Sequence, residues 1–320
     1  MRILITGGGG FLGSRLARAV AARGTLAGAR GMERVDSIAV LDTAFPSGDD
    51  GFERITGDIT DPAVLERALT GDTGAVFHLA AVVSAGAEAD FDLGMRVNLD
   101  GTRALLERCR RLPHAPRFVF TSSVAAFGGR LPEVLDDRTT PNPQTSYGMQ
   151  KVIGEYLTTE YSRRGFIDGR SLRLPTIVVR PGKPNLAASS FASGIVREPV
   201  HGEASICPVP EATRVWMLSP DKVVAAFIHA HDLPSEAWGV ERVVNLPGIS
   251  VTVREMLDTL ARIAGKAVAA RVRFVPDERI ERIVRTWPGD FLTPRALALG
   301  FTSDQDFGAI VRQFLDEAGR

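Results

Sequence analysis

The run Tyr147-Gly148-Met149-Gln150-Lys151 sets a phenol and an ammonium one helical turn apart on one helix face. A free tyrosine titrates near pH ~10 and is a poor base at neutrality. A nearby cation favours the phenolate, so the phenol can exchange a proton with an alcohol or a carbonyl. This spacing alone is common on surface helices. Its surroundings strengthen it, because Thr121-Ser122-Ser123 ends an apolar strand upstream. There Ser123 is expected to hold the oxygen whose proton Tyr147 takes, with a turn or a helix cap as the plainer use of these hydroxyls. Neither Tyr156 nor Tyr161, the other two tyrosines, has Lys or Arg four residues later.

A second constellation suits a pyrophosphate. Gly7, Gly10 and Gly13 recur every third residue between an apolar run and a helical pattern that opens with Phe11 and Leu12. Glycine allows the tight turn, the approach of backbone to phosphate and the packing of helix on strand. The helix N-terminus adds unpaired N–H groups and the positive end of its dipole. Asp42 ends the second strand, where a carboxylate accepts from adenosine ribose hydroxyls and repels a 2′-phosphate, which favours NAD over NADP. A cap or turn residue is the alternative. Glu33 and Asp36 lie nearer the usual offset but precede the strand, and the longer offset to Asp42 implies an extended loop through Gly24–Arg34. Asp58-Ile59, placed to hold adenine, and Leu79-Ala80-Ala81, small enough to let backbone pass the cofactor, follow the next strands.

The elements that must position these groups alternate. Strands are expected at Arg2–Thr6, Ser37–Leu41, Phe52–Thr56, Ala75–Leu79 and Arg117–Thr121. Helices are expected at Phe11–Arg23, Pro62–Leu69, Phe91–Arg110 and Ser146–Arg164. The order implies a parallel sheet covered on both faces. A strand at Ser171–Leu174, a Gly/Pro/Ser-rich loop from Pro181 to Ser193, strands at Arg242–Leu246 and Arg271–Val275, and helices at Val253–Ile263 and Gln305–Glu317 complete the chain. Residues 1–175 read as a Rossmann core carrying the Tyr147 helix. Residues 176–320 read mainly as a substrate-binding lobe with segments returning to the core.

TGGGGFLG, GDITD, FHLAA, VNLDGT, FTSSVAAFG and SYGMQK together resemble the extended short-chain dehydrogenases, the NAD-dependent epimerase/dehydratase family, over nearly the whole chain. The resemblance implies an α/β doubly wound parallel sheet with a smaller C-terminal lobe. It implies Ser123, Tyr147 and Lys151 as catalytic residues, Asn98 ordering the site through its helix and a water, and Pro175 beside the cofactor. Ser84 and Thr176 come with it as substrate contacts, and a homodimer through the helices carrying Asn98 and Tyr147. Dehydratases of this kind carry an acidic pair after the hydroxyl position, where this chain has Val124-Ala125. Many epimerases have Tyr-Gly where it has Phe127-Gly128.

The stretches Arg173–Asn185, Ser189–Ile195 and Arg214–Trp216 resemble dehydrogenases that oxidise the C2 alcohol of a four-carbon sugar acid, D-erythronate, with NAD. A carboxylate substrate needs an anchor, and arginine offers a bidentate one. Arg180 and Arg214 are the candidates, with Ser189 and Ser190 as hydroxyl contacts. Either arginine would equally serve an inter-lobe salt bridge or hold a nucleotide-sugar diphosphate. A nucleotide-sugar 4-epimerase with retained NAD and a non-catalytic NAD-sensing Rossmann protein are therefore the competing readings.

Composition narrows the field. The 320 residues balance 38 Lys and Arg against 38 Asp and Glu, so nothing global points to nucleic acid or an acidic membrane surface. Cys109 and Cys207 lie far apart without metal-ligand spacing, which argues against a zinc site or a disulfide framework. The first apolar run is too short for a signal-peptide core or a membrane span. The expectation is a cytoplasmic protein with a small-molecule substrate, no metal and no membrane partner.

Overall fold

The computed structural model describes residues 1–28, 31–48, 51–182 and 189–319. Seven parallel strands form the central sheet: Arg2–Thr6 (β1), Ser37–Asp42 (β2), Glu53–Thr56 (β3), Thr73–His78 (β4), Arg117–Ser123 (β5), Asp168–Leu174 (β6) and Val243–Asn245 (β7). Their order is β3-β2-β1-β4-β5-β6-β7, all pairs parallel. The chain reverses direction across the sheet between β1 and β4, and ligands of such sheets bind at that switch, beyond the carboxyl ends of the strands.

Burial on both faces explains the unbroken apolar runs. In β1, Ile3 and Ile5 join a core with Leu16, Ala17 and Val20 of helix Phe11–Arg23 and with Val223, Phe227 and Ala230 of helix Pro220–Asp232. Leu4 joins the opposite core, with Val64, Leu65, Leu105 and Leu106. Alternate side chains of one strand thus serve two layers. A third core closes the C-terminal lobe, where Val215, Val251, Met256, Leu260, Ile310 and Phe314 pack together. The lobe's small sheet pairs Arg214–Leu218 with Ile249–Thr252 and with Thr176–Ile177. Strand β7 and helix Pro220–Asp232 return from the second half of the chain to the Rossmann core.

Three sequence expectations need correction. Gly24–Arg34 is not an extended loop: Gly24, at φ 70°, ends the first helix, and Thr25–Gly28 pairs antiparallel with Gly31–Arg34 as a hairpin. The helix expected at Phe91–Arg110 is interrupted by a π-helical turn at Met95–Gly101, a distortion frequent near functional sites. The Pro181–Ser193 loop ends sooner than expected, because helix Ser190–Val200 begins inside it. Residues 183–188 of that loop lie outside the described residues.

Candidate active site

The glycine loop is a backbone cradle. Gly7 sits at φ 73°, donates to the Leu41 carbonyl at 2.8 Å, and accepts from Gly10 N at 3.1 Å. A Cβ at Gly13 would stand 2.1 Å from the Gly7 carbonyl oxygen, and one at Gly7 2.8 Å from Ala80 N. Neither side chain is sterically tolerable. Asp42 ties this cradle to β2: its Oδ2 accepts from Gly9 N at 3.0 Å and its Oδ1 from Thr43 N at 2.8 Å. Asp58 Oδ1 accepts from Thr60 N at 2.9 Å, while its Oδ2 accepts from Arg96 at 2.7 Å. Those bonds hold its carboxyl below the usual carboxylate range against an opposing burial effect.

Asn98 holds the site indirectly. From the π-helical turn, its Oδ1 accepts from Val82 N at 2.7 Å, and its Nδ2 donates to Val82 O at 3.0 Å and Gln150 Oε1 at 2.7 Å. It thereby joins the segment after β4 to the Tyr147 helix without itself lining the cavity. A buried relay that sequence reasoning missed fixes this turn. Thr102 Oγ1 donates to Asn98 O at 2.6 Å, so His78 Nε2, 2.9 Å away, must be the donor to Thr102. His78 Nδ1 then accepts from Thr6 Oγ1 at 2.7 Å, and Thr6 Oγ1 accepts from Ala80 N at 3.2 Å. Burial, with Lys151 as a nearby positive charge, pushes the His78 pKa down to about 3, which keeps this tautomer neutral.

Helix Ser146–Arg163 presents the reactive pair, capped by Thr145 Oγ1 accepting from Gly148 N at 3.1 Å. Lys151 is buried; its Nζ lies 5.0 Å from the Phe120 ring centroid and 5.5 Å from that of Tyr147. Burial lowers its pKa to about 7, against the pull of Glu155 one turn further on. Glu155 is another residue missed from sequence. Its buried carboxylate accepts from Arg173 Nε at 2.8 Å, from Arg173 Nη2 at 2.7 Å, and from Ser122.

Burial pushes the Tyr147 phenol up to about 12; opposing this are first the Arg180 guanidinium and then a hydrogen bond with Ser123. The Arg180 guanidinium thus joins Lys151, whose Nζ lies 5.5 Å from the phenol ring centroid, as a cation beside Tyr147. Arg180 is itself half-buried. It donates to Ile177 O at 3.2 Å and to Ser189 Oγ at 3.3 Å, and forms no ion pair with a carboxylate among the described residues. Burial lowers its pKa, and the Tyr147 phenol pulls the other way.

Two cavities meet at these groups. The larger, about 660 Å³, is lined by Gly7, Gly10, Phe11, Leu12, Gly13, Asp42, Asp58, Ile59, Leu79, Ala80 and Ala81 at the strand ends, and reaches Ser123, Tyr147, Lys151, Pro175 and Arg180. The smaller, about 110 Å³, shares Ser123, Tyr147, Pro175 and Arg180, and adds Ser84, Thr145, Thr176 and Ser189. Ile283 and Trp287 also line it; nothing in their local sequence marks them. Two expected substrate contacts lie elsewhere. Ser190 is the first residue of its helix and lines neither cavity. Arg214 is exposed at the start of its strand, where it donates to Ser250 Oγ at 3.2 Å. Among the described residues, no cluster of His, Cys, Asp or Glu is placed to hold a metal ion, and no helix is long and apolar enough to cross a membrane.

A glycine cradle that excludes a Cβ at Gly7 and Gly13, a carboxylate at the end of β2 and a cavity of about 660 Å³ reaching Tyr147 fit a dinucleotide. The sequence profile of the NAD dependent epimerase/dehydratase family matches residues 3–245. The chain belongs to this family; it is an NAD-dependent oxidoreductase acting on CH–OH groups. It is 58% identical to a D-erythronate dehydrogenase of Cupriavidus necator, over 100% of this chain and 99% of the relative. It is 45% identical to a D-erythronate dehydrogenase of Haemophilus influenzae, over 99% of both chains. Among solved structures, one described as a nucleoside-diphosphate-sugar epimerase from Agrobacterium tumefaciens superposes with a TM-score of 0.93 at 41% identity, covering 100% of this chain and 95% of that one.

Proposed function

We propose that the chain oxidises the C2 hydroxyl of D-erythronate to the 2-oxo acid, with Tyr147 accepting the hydroxyl proton. The observation that carries this reading is the small chamber beside the phenol, which has a half-buried guanidinium with no carboxylate partner among the described residues. A guanidinium partly withdrawn from water, with donors left over, is suited to grip a carboxylate, so Arg180 favours an anionic substrate. A chamber of about 110 Å³ falls well below the ~300–1,000 Å³ usual for drug-sized ligands. It suits a compact polyhydroxy acid better than a nucleotide diphosphate. The names of the full-length relatives point the same way.

Bound NAD supplies the acceptor for the hydride leaving C2. The residues of the chain do the rest. Arg180 grips the carboxylate, which places C2 next to the phenol. Ser123 holds the C2 oxygen and Tyr147 takes its proton; in the reverse direction Tyr147 returns it. The buried Lys151 ammonium and Arg180 both favour the charged phenol, and Glu155 keeps Lys151 from losing its own proton more readily. Ser84, Thr176 and Ser189 offer hydroxyl partners to the remaining oxygens of the substrate.

Stoichiometric NADH formation from D-erythronate, with little from D-threonate or nucleotide sugars, is the expected result. Turnover of a nucleotide sugar without net NADH would establish the epimerase reading, which the description of the Agrobacterium structure favours. NAD binding with no turnover of any sugar acid or nucleotide sugar would leave a sensor. A homodimer through helices Phe91–Cys109 and Ser146–Arg163 forms part of this proposal. Phe91 and Tyr156, 55% and 68% exposed on these helices, support it. Sedimentation at micromolar concentration should give twice the chain mass, and a monomer there would refute the dimer.

A further inference from the structure

The substrate chamber has a wall that the chemistry does not require. Its hydroxyls, phenol and guanidinium all come from residues 84–189, whereas Ile283 and Trp287 reach it from the last fifth of the chain. The two residues stand one turn apart at the end of helix Glu278–Val284. Thr286 N donates to Ile283 O at 3.1 Å, Trp287 N to Val284 O at 3.0 Å, and Thr286 Oγ1 to Ile283 O at 2.8 Å. Val284 belongs to the core of the lobe, and Ile280 and Trp287 pack against that core. The wall is therefore apolar, braced from behind, and anchored in the lobe and not in the Rossmann sheet.

Size makes this wall consequential. The chamber, about 110 Å³, is much the smaller of the two cavities that meet at Tyr147. A longer acid gripped at its carboxylate by Arg180 would press its far carbons against the wall. A hydroxyl pushed there would lose water and find no partner on Ile283 and at most one donor on Trp287.

We propose that Trp287, with Ile283 beside it, sets the chain-length limit of the substrate, admitting a four-carbon acid and rejecting five- and six-carbon ones. The inference rests on the sugar-acid reading above and deepens it. One unit too many in a fitted pocket reduces kcat/KM by ~10–200-fold, so removing the indole should recover at least about tenfold for the longer acids.

The test measures NADH formation by the full-length enzyme with D-erythronate and with five- and six-carbon aldonates of matching C2 and C3 configuration. Wild type, Trp287→Ala, Trp287→Phe and Ile283→Ala are compared. The ratio of kcat/KM for the five-carbon acid to that for D-erythronate should rise about tenfold or more in Trp287→Ala. It should rise less in Trp287→Phe and Ile283→Ala, with NAD affinity unchanged in all three. If Trp287→Ala fails to fold, Trp287→Leu carries the same ratio test. A flat ratio with D-erythronate turnover intact overturns this proposal alone. A wild-type enzyme that forms no NADH from any of these acids overturns the functional reading and this inference together.

Discussion

The two cavities that meet at Tyr147 are assembled in opposite ways. The larger cavity runs along successive strand ends, and most of its lining lies within a few residues of β1, β2, β3 or β4. The smaller cavity gathers residues from distant places: Ser84 after β4, Thr145 before the Tyr147 helix, Arg180 and Ser189 in the second half of the chain, and Trp287 near its far end. A backbone cradle tolerates almost no change where it touches phosphate, because no side chain can be moved aside. A side-chain chamber can be re-lined residue by residue, which explains how one family serves epimerases and dehydrogenases on one sheet. Tyr147 belongs to both, so changes made on either side of it should separate cleanly into effects on cofactor and effects on substrate.

The largest effect is expected at the junction. Tyr147→Phe should lower kcat by ~10³–10⁴-fold, since it removes the group that exchanges the proton. Calorimetric NAD affinity should stay near wild type, and unchanged turnover would break the assignment of the phenol.

Next comes the relay beneath both cavities. His78 titrates near 6.5 unfolded and about 3 folded, so its neutral form is favoured in the native state. Its contribution to stability is complete above pH ~6.5 and is lost as pH falls toward 3, by up to about 5 kcal/mol. Urea unfolding across this window should show a steep loss in wild type and a shallower one in His78→Gln. Equal slopes would show that His78 does not carry it.

On the chamber side, Arg180→Met should lower kcat/KM for D-erythronate by about 10²-fold, the scale of a lost charged hydrogen-bonded pair. NAD affinity should move little, and a loss confined to NAD affinity would reassign the guanidinium to the cofactor. Arg214→Met should do neither. On the cofactor side, Asp42→Ala should raise the preference for NADP relative to NAD by about tenfold, ~1.4 kcal/mol. A ratio of kcat/KM values for the two cofactors that does not move would show that the Asp42 carboxylate only braces Gly9 and Thr43.

How much of this was legible beforehand follows the same division. Gly7, Gly10 and Gly13 announced a cradle because their spacing, the strand before them and the helix after them are local facts. Asp42, Asp58 and Leu79–Ala81 could be placed because a parallel sheet puts every strand end on one edge. The hairpin at Thr25–Arg34 was missed, since its two short strands have mixed polarity and sit outside the main sheet. The π-helical turn was missed because Met95–Gly101 keeps a helical composition.

What the residues alone determined about this protein is its family, its oxidoreductase class and its NAD dependence; the proposed chemistry rests on a serine, tyrosine and lysine near enough in sequence to be brought together by one strand and one helix. Which arginine stands beside the phenol was decided only by tertiary structure. Arg180 and Arg214 are equal candidates by type; one becomes half-buried beside Tyr147, and the other is exposed at the start of its strand against Ser250. The Glu155–Arg173 pair, the His78–Thr102 relay and the Trp287 wall likewise depend on contacts between residues well separated along the chain. Such contacts depend on how layers pack, and no local pattern encodes them.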